Sequence, residues 1–285
     1  MDKGYKLIHG DCFDAMYEID DSSVDAIITD PPYGINLSSW DKGIDIPMFF
    51  KECKRVIKPD GFIAFFGQMP TLLEWCNNAN QYFKWSSHIS WVKRQVTPNH
   101  NLMRGHESIM IYRNGRAKFY KTKGKYTDVR VPGVMFDIVN IETIKRYISD
   151  LHYAIKHGNP RTFKQTYQRH DAYQHLKPRS GTAASEDVNF TNVWSFQPAN
   201  TATYNKGGKE HPTGKPVDVI VRLIEMLSQE NDVILDPFIG SGTTIIAGLK
   251  TNRKVIGVEK FRQYHDISQH RINEYLTEPK QHNLI

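Results

Sequence analysis

An early tetrapeptide, Asp30-Pro31-Pro32-Tyr33, combines residue types that suit one particular reaction. An amino group conjugated to a ring, as in adenine or cytosine, is a poor nucleophile because its lone pair is delocalised. The Asp30 carboxylate and the Pro31 carbonyl could accept its two N–H groups and aim the lone pair, since neither proline offers a competing N–H. Tyr33 offers a face for a base rotated out of a duplex. The alternative interpretation is a proline turn closed by an Asp cap.

A second motif stands late in the chain, where residues 236–244 read Asp-Pro-Phe-Ile-Gly-Ser-Gly-Thr-Thr. Glycines at 240 and 242 allow a sharp turn and a close approach of backbone to ligand. Ile245 stands where a nicotinamide fingerprint needs a third glycine, and the Gly-Lys-Ser/Thr of a P-loop is absent. The spacing therefore favours neither of these two phosphate-binding loops.

Carboxylates flank this glycine loop in sequence. Asp236 ends the strand-like segment before it, and Glu259 ends the next one. Glu259 could accept both ribose hydroxyls of an adenosyl ligand, and Asp236 could face the ammonium end of the same ligand. The alternative is a glycine turn used only for packing.

The elements that must position both motifs alternate between strand and helix. Strands are predicted at 5–9, 24–29, 62–66, 85–92, 107–112, 233–236 and 254–259, and helices from Pro47, near 70–79, from Pro216, and near 243–251 and 261–276, with a turn at 59–61. This rhythm predicts an α/β fold with a doubly wound, mostly parallel sheet. Both motifs follow strands, at the edge where such sheets bind ligands.

Composition excludes several classes of protein. The chain has 285 residues, a net charge of +6 and no apolar run long enough for a membrane span. Its cysteines (Cys12, Cys53, Cys76) are odd in number and lack metal-ligand spacing. We expect a reduced, cytoplasmic protein without disulfides, metal or membrane contact, and the histidines at 152, 157, 170 and 175 are interpreted as surface or phosphate-contacting groups.

Positive charge is concentrated in one internal segment. Residues 114–180 hold 14 Lys/Arg and 5 Asp/Glu, a balance of +9, and the rest of the chain holds 23 and 26, a balance of −3. Aromatic residues are interleaved with these cations, a combination that suits nucleic acid. A solvated basic surface is the alternative. The α/β rhythm is lost over 114–203, so this range is predicted to be an insert.

Taken with their order, these motifs resemble the amino-methyltransferases of bacterial restriction–modification systems and phages, in the β-type arrangement. In that family the catalytic tetrapeptide comes first, the target-recognition region second and the cofactor loop last. The resemblance implies S-adenosylmethionine as methyl donor, DNA as substrate and a seven-stranded, Rossmann-like class I methyltransferase fold. Its domains would be a catalytic half (1–113), a target-recognition insert (114–203) and a donor-binding half (204–285).

The resemblance also implies roles for further residues. Asp11 and Cys12 match the segment that approaches the donor's adenine, the segment 211–216 matches the one that closes over the methionine part, and 104–107 (Arg-Gly-His-Glu) matches a motif at the edge of the target-base pocket. The expected catalytic residues are those of the tetrapeptide. The expected donor-binding residues are Asp11, Cys12, His211, Lys215, Asp236, Phe238, Gly240, Ser241, Gly242, Thr243, Thr244 and Glu259.

The substrate base follows from one position. Asp at position 30 is similar to the adenine-specific members, whereas Ser there is usual for N4-cytosine enzymes, so N6 of adenine is expected. N4-cytosine methylation, protein or RNA methylation and a catalytically silent DNA-binding regulator are the alternatives. DNA is the expected partner, and a homodimer and a cognate restriction endonuclease are left open.

Overall fold

The computed structural model describes residues 1, 4–32, 43–93, 106–120, 193–196 and 214–278. These fall in one compact unit drawn from 1–129 and 188–285. The described strands are β1 (Tyr5–His9), β2 (Val24–Thr29), β3 (Ile57–Gly67), β4 (Lys84–Lys93), β5 (His106–Arg113), β6 (Val193–Phe196), β7 (Val233–Asp236) and β8 (Lys254–Glu259). The described helices are α1 (Cys12–Tyr17), α2 (Ile46–Val56), α3 (Thr71–Tyr82), α4 (Val217–Leu227), α5 (Thr243–Lys250) and α6 (Arg262–Thr277).

Within the described residues the strands form one sheet in the order β1-β8-β7-β2-β3-β5-β4-β6. Strand β5 runs antiparallel to β3 and β4, and every other neighbouring pair is parallel. The predicted α/β fold with a mostly parallel sheet is confirmed. The four-residue β6 is an eighth strand at the edge, beyond the seven expected.

Strand β6 belongs to the range 114–203 that the sequence assigns to the insert, yet it pairs with β4. Most of that range lies outside the described residues. The domain boundaries therefore stay a prediction.

Apolar side chains cover both faces of the sheet, as a doubly wound fold requires. On one face Ile28, Ala64 and Phe66 pack with residues of α4 and α5. On the other, Ile27 and Phe65 pack with residues of α1, α2 and α3. Strand β2 is almost wholly buried because it lies at the centre of the sheet between β7 and β3.

The predicted turn at 59–61 is not an interruption between elements but part of β3. Val24 pairs with Ile57, and Ala26 already pairs with Phe62, so residues 58–61 bulge out of the ladder. A bulge of this kind bends the strand without ending it. Sequence pattern alone registers the Pro-Asp-Gly run and misses the long-range pairing of Ile57.

The sheet brings several strand ends to one edge. Strands β1, β8, β7, β2 and β3 all end there, and the antiparallel β5 begins there, since Gly67 pairs with Ser108. Side chains that follow or open these strands are therefore neighbours.

Among the helices that the structure describes, none has the length and apolar character needed to span a membrane.

Candidate active site

The tetrapeptide begins where β2 ends, as predicted. Asp30 directly follows Thr29, with its side chain 24% exposed, and Pro31 is buried. Pro32 is half-buried, and Tyr33 lies outside the described residues. Strand β2 pairs with β7 through Ala26–Ile234 and Ile27–Leu235, which places Asp30 beside the start of the glycine loop.

Asp236 joins the two motifs. Its Oδ1 accepts hydrogen bonds from the Thr29 hydroxyl (2.9 Å) and the Phe238 N–H (3.1 Å), and its Oδ2 accepts one from the Thr244 hydroxyl (2.6 Å). Burial raises the pKa of this carboxyl to about 6, against the opposing effect of the three donors. The predicted contact of Asp236 with a ligand ammonium stays a prediction.

The glycine loop adopts the sharp turn that its sequence predicts. Gly240 has φ 54° and Gly242 has φ 82°, both in the left-handed region that favours glycine. The Ser268 hydroxyl donates to the Gly240 carbonyl, and the Arg271 guanidinium donates to the Ser241 carbonyl. Helix α6 therefore supports the loop through these two hydrogen bonds.

The two ends of the loop are also held by helices. Thr243 and Thr244 are the first residues of helix α5, and Phe238 packs on Phe49 of α2 with ring centroids 5.7 Å apart.

Glu259 ends β8 beside the same loop. Its Oε2 accepts the Gly240 N–H (3.1 Å) and its Oε1 accepts the Phe261 N–H (2.8 Å). Burial raises the pKa of the Glu259 carboxyl to about 7, and the charge of Asp236 adds to the shift. Every carboxylate oxygen has two lone pairs, so Oε1 and Oε2 of Glu259 can each accept a second hydrogen bond.

Asp11 lies next to Glu259 because β1 pairs with β8. The Gly10 N–H donates to the Glu259 carbonyl (3.0 Å), and Asp11 caps helix α1 by accepting the Phe13 N–H (2.9 Å). Its second oxygen accepts from Lys260 (3.0 Å). Cys12 is buried, and that burial raises the pKa of its thiol to about 12, so the thiol is neutral near pH 7.

Lys215 contacts the Asp30 carboxylate directly. Its ammonium pairs with Oδ2 of Asp30 and, at 3.4 Å, with Oε2 of Glu107. Burial alone would lower the pKa of Lys215, but the charges of both carboxylates and hydrogen bonds to them raise it. His211, from the same predicted segment, lies outside the described residues.

The described residues thus bring the start of the tetrapeptide, the glycine loop, Glu259, Asp11 and Lys215 to one edge of the sheet. Sequence reasoning did not single out Thr29 or Gln68, and it gave Glu107 no role of its own. The position of Thr29, directly before Asp30 on a buried strand, was the available signal. No cluster of three or more His, Cys, Asp and Glu side chains suited to a metal ion occurs in the part of the chain described.

Comparison with known proteins identifies the class. The family model described as DNA methylase, of the N6/N4 methyltransferase type, matches residues 24–270. The chain belongs to this family, and the predicted family resemblance is confirmed.

Individual relatives and solved structures are similar to this chain over most of its length. The type II methyltransferase M.HpaI of Haemophilus parainfluenzae is 26% identical over 94% of this chain and 74% of its own length. The M1.HpyAVI–SAM complex shares the fold with TM-score 0.60 and 19% identity, covering 94% of this chain and 99% of that one. The cytosine-N4-specific PvuII DNA methyltransferase has TM-score 0.60 and 14% identity, covering 94% and 86%.

Proposed function

We propose that this chain is a site-specific DNA methyltransferase that transfers a methyl group from S-adenosylmethionine to N6 of adenine. The position of Asp30 is the observation that most strongly supports methyl transfer to an amino group. The Asp30 carboxylate stands at the end of a central buried strand, tied through Thr29 and Asp236 to the glycine loop. A site for an amino nitrogen and a site for a methyl donor are thereby adjacent.

The residues at the edge fit the donor. Glycines 240 and 242 allow the sharp turn of the loop, and a Cβ on Gly242 would come within 3.2 Å of the Ser268 Cβ on the helix that supports the loop. Glu259 would accept the ribose hydroxyls, Asp11 would approach the adenine, and the 236–244 loop would hold the remainder. When bound, the donor supplies a methyl group on a positively charged sulfur. The crystallised M1.HpyAVI–SAM complex supports S-adenosylmethionine as the donor.

The chain's own groups would then orient the nucleophile. Asp30 and the Pro31 carbonyl would each accept one N–H of the target amino group, which draws its lone pair out of the ring and towards the donor. The nitrogen becomes positively charged as it gains the methyl group, so the negative Asp30 stabilises it. A carboxylate oxygen of Asp30 is the first acceptor for the proton that the nitrogen then loses.

The choice of adenine as the target base rests on the Asp at position 30. Because the fold is shared with the cytosine-N4-specific PvuII enzyme at the same TM-score, fold likeness carries no weight for the base. Mass spectrometry of nucleosides from DNA incubated with the protein and donor tests the proposal. We expect N6-methyladenine. N4-methylcytosine would overturn the choice of base, and unmodified DNA would overturn the activity.

A further inference from the structure

Three charged side chains meet beside the tetrapeptide. Lys215 contacts both Asp30 and Glu107, and the three side chains are 11%, 24% and 7% exposed. The Lys215 ammonium also lies over the Phe66 ring, 5.0 Å from its centroid. Two acids and one base give this group, here called the Lys215 triad, a formal charge of −1.

The contact between Lys215 and Asp30 competes with the task proposed for Asp30. A carboxylate that orients an amino group must direct its negative charge at the incoming N–H. An ammonium on the same carboxylate takes up hydrogen-bonding capacity and cancels charge. In a site this buried, water screens the pair weakly, so the ammonium cannot simply leave for solvent at low cost.

Glu107 offers the ammonium a second partner at the same place. It stands at the start of β5, where it pairs with Trp91 of β4, and the next residue, Ser108, pairs with Gly67 of β3, so the sheet fixes its backbone. Its Oε1 lies 3.5 Å from the Gln68 amide nitrogen, while its Oε2 faces Lys215. The face of the Phe66 ring is a further contact for the ammonium, so Glu107 and Phe66 together can hold it without Asp30.

We infer that Glu107 is a positioning residue of methyl transfer, which shares Lys215 with Asp30 and retains the ammonium when the target amino group binds Asp30. This inference rests on the proposed function for the task of Asp30, but it holds for adenine or cytosine alike. It gives Lys215 a role at the catalytic carboxylate in addition to the donor-binding role expected from its motif.

A double-mutant cycle with Glu107→Gln and Lys215→Gln tests this inference. In the wild-type background, Glu107→Gln leaves Asp30 as the one carboxylate of the Lys215 triad. We expect the single-turnover rate of labelled methyl transfer to unmethylated bacterial DNA to fall by about tenfold to a hundredfold, by analogy with the loss of a group that orients a metal ligand. Donor affinity by calorimetry should change less than about twofold. In the Lys215→Gln background, Glu107→Gln should cost nothing further.

Controls separate this role from alternatives. Glu74→Gln, on the exposed side of α3, should leave rate and affinity at wild-type values. Equal losses from Glu107→Gln with and without Lys215 would overturn the inference, because Glu107 would then act independently of the ammonium.

Melting temperature gives a readout that needs no activity. Glu107→Gln should destabilise the wild type but not the Lys215→Gln protein, because the ammonium that Glu107 contacts is already absent from that protein. Additive shifts would overturn the inference even if the wild type proved inactive on DNA. Wild-type inactivity together with coupled melting shifts would instead count against the proposed function.

Discussion

The Thr29 hydroxyl donates a 2.9 Å hydrogen bond to Oδ1 of Asp236, across 207 positions of sequence. It joins the strand that directly precedes Asp30 to the strand that leads into the glycine loop. Any shift of one strand end against the other must break this buried bond. The two motifs are therefore held in register by side chains as well as by the sheet.

Replacing Thr29 by valine removes that hydroxyl and keeps the shape of the side chain. Asp236 then loses a donor in a buried site, so we expect the free energy of unfolding to fall by about 1–3 kcal/mol. The rate of methyl transfer should fall as well, because Asp30 is less firmly placed. Urea denaturation and labelled-methyl transfer measure the two effects. Thr29→Ser keeps the hydroxyl and serves as control, and a valine variant equal to wild type in both assays would refute this role.

Glu259 should make stability depend on pH in an unusual direction. Its pKa in the folded protein is about 7, raised by burial above the value of 4.5 that applies to the unfolded chain. The folded state therefore binds the proton more tightly, so this contribution to stability is present below pH 4.5 and is lost as pH rises to about 7. The difference in unfolding free energy between wild type and Glu259→Gln should decrease over that window. A constant difference would contradict the shift.

Donor affinity should change with pH in the opposite sense. If the ionised Glu259 accepts the ribose hydroxyls, binding of S-adenosylmethionine should strengthen as pH rises through about 7. Calorimetry between about pH 6 and pH 8 measures this, and Glu259→Gln should show weak binding without that rise. An affinity that weakens with pH in the wild type would exclude Glu259 as the ribose acceptor.

A side chain at Gly242 of the glycine loop should destabilise the protein. Its φ of 82° disfavours any L-residue, and a Cβ would lie 3.2 Å from Ser268 Cβ and 3.3 Å from its Cα. We expect Gly242→Ala to lower the free energy of unfolding by about 1–3 kcal/mol and to weaken donor binding. Gly43→Ala is the matched control, because a Cβ there meets no heavy atom within 4 Å. Equal stability of both variants would contradict the steric argument.

The basic segment 114–180 should dominate binding to DNA. Each cation that contacts a phosphate steepens the fall of affinity with salt, so replacing Lys121, Lys123 and Lys125 by glutamine should make the logarithmic slope shallower by about 2–3. Fluorescence anisotropy with duplex DNA at several salt concentrations measures the slope. Lys51→Gln, on the exposed face of α2, is the control. An unchanged slope in the triple variant would remove these lysines from the DNA-binding surface.

Local pattern was sufficient to predict much of the fold. The apolar run 24–29 and the segments that end at Asp236 and Glu259 predict strands at the observed bounds, because hydrophobic periodicity and strand-end acids are local signals. The glycine loop was likewise predicted from residue types that a positive φ requires.

Contacts between distant segments could not be predicted in this way. Lys215 and Asp30 are 185 positions apart, and their pairing depends on where β2 lies in the sheet. The pairing of Ile57 with Val24 and the addition of β6 to β4 are also long-range. No periodicity in the sequence encodes which strands become neighbours.

The most direct test compares methylation in cells that express the wild type or Asp30→Ala. Sequencing that detects modified bases in the host DNA reports base and sequence motif together. We expect N6-methyladenine at one defined motif with the wild type and none with Asp30→Ala, while purified Asp30→Ala still binds S-adenosylmethionine. Modified cytosine, or the same adenine methylation in both strains, would contradict the function proposed for this site.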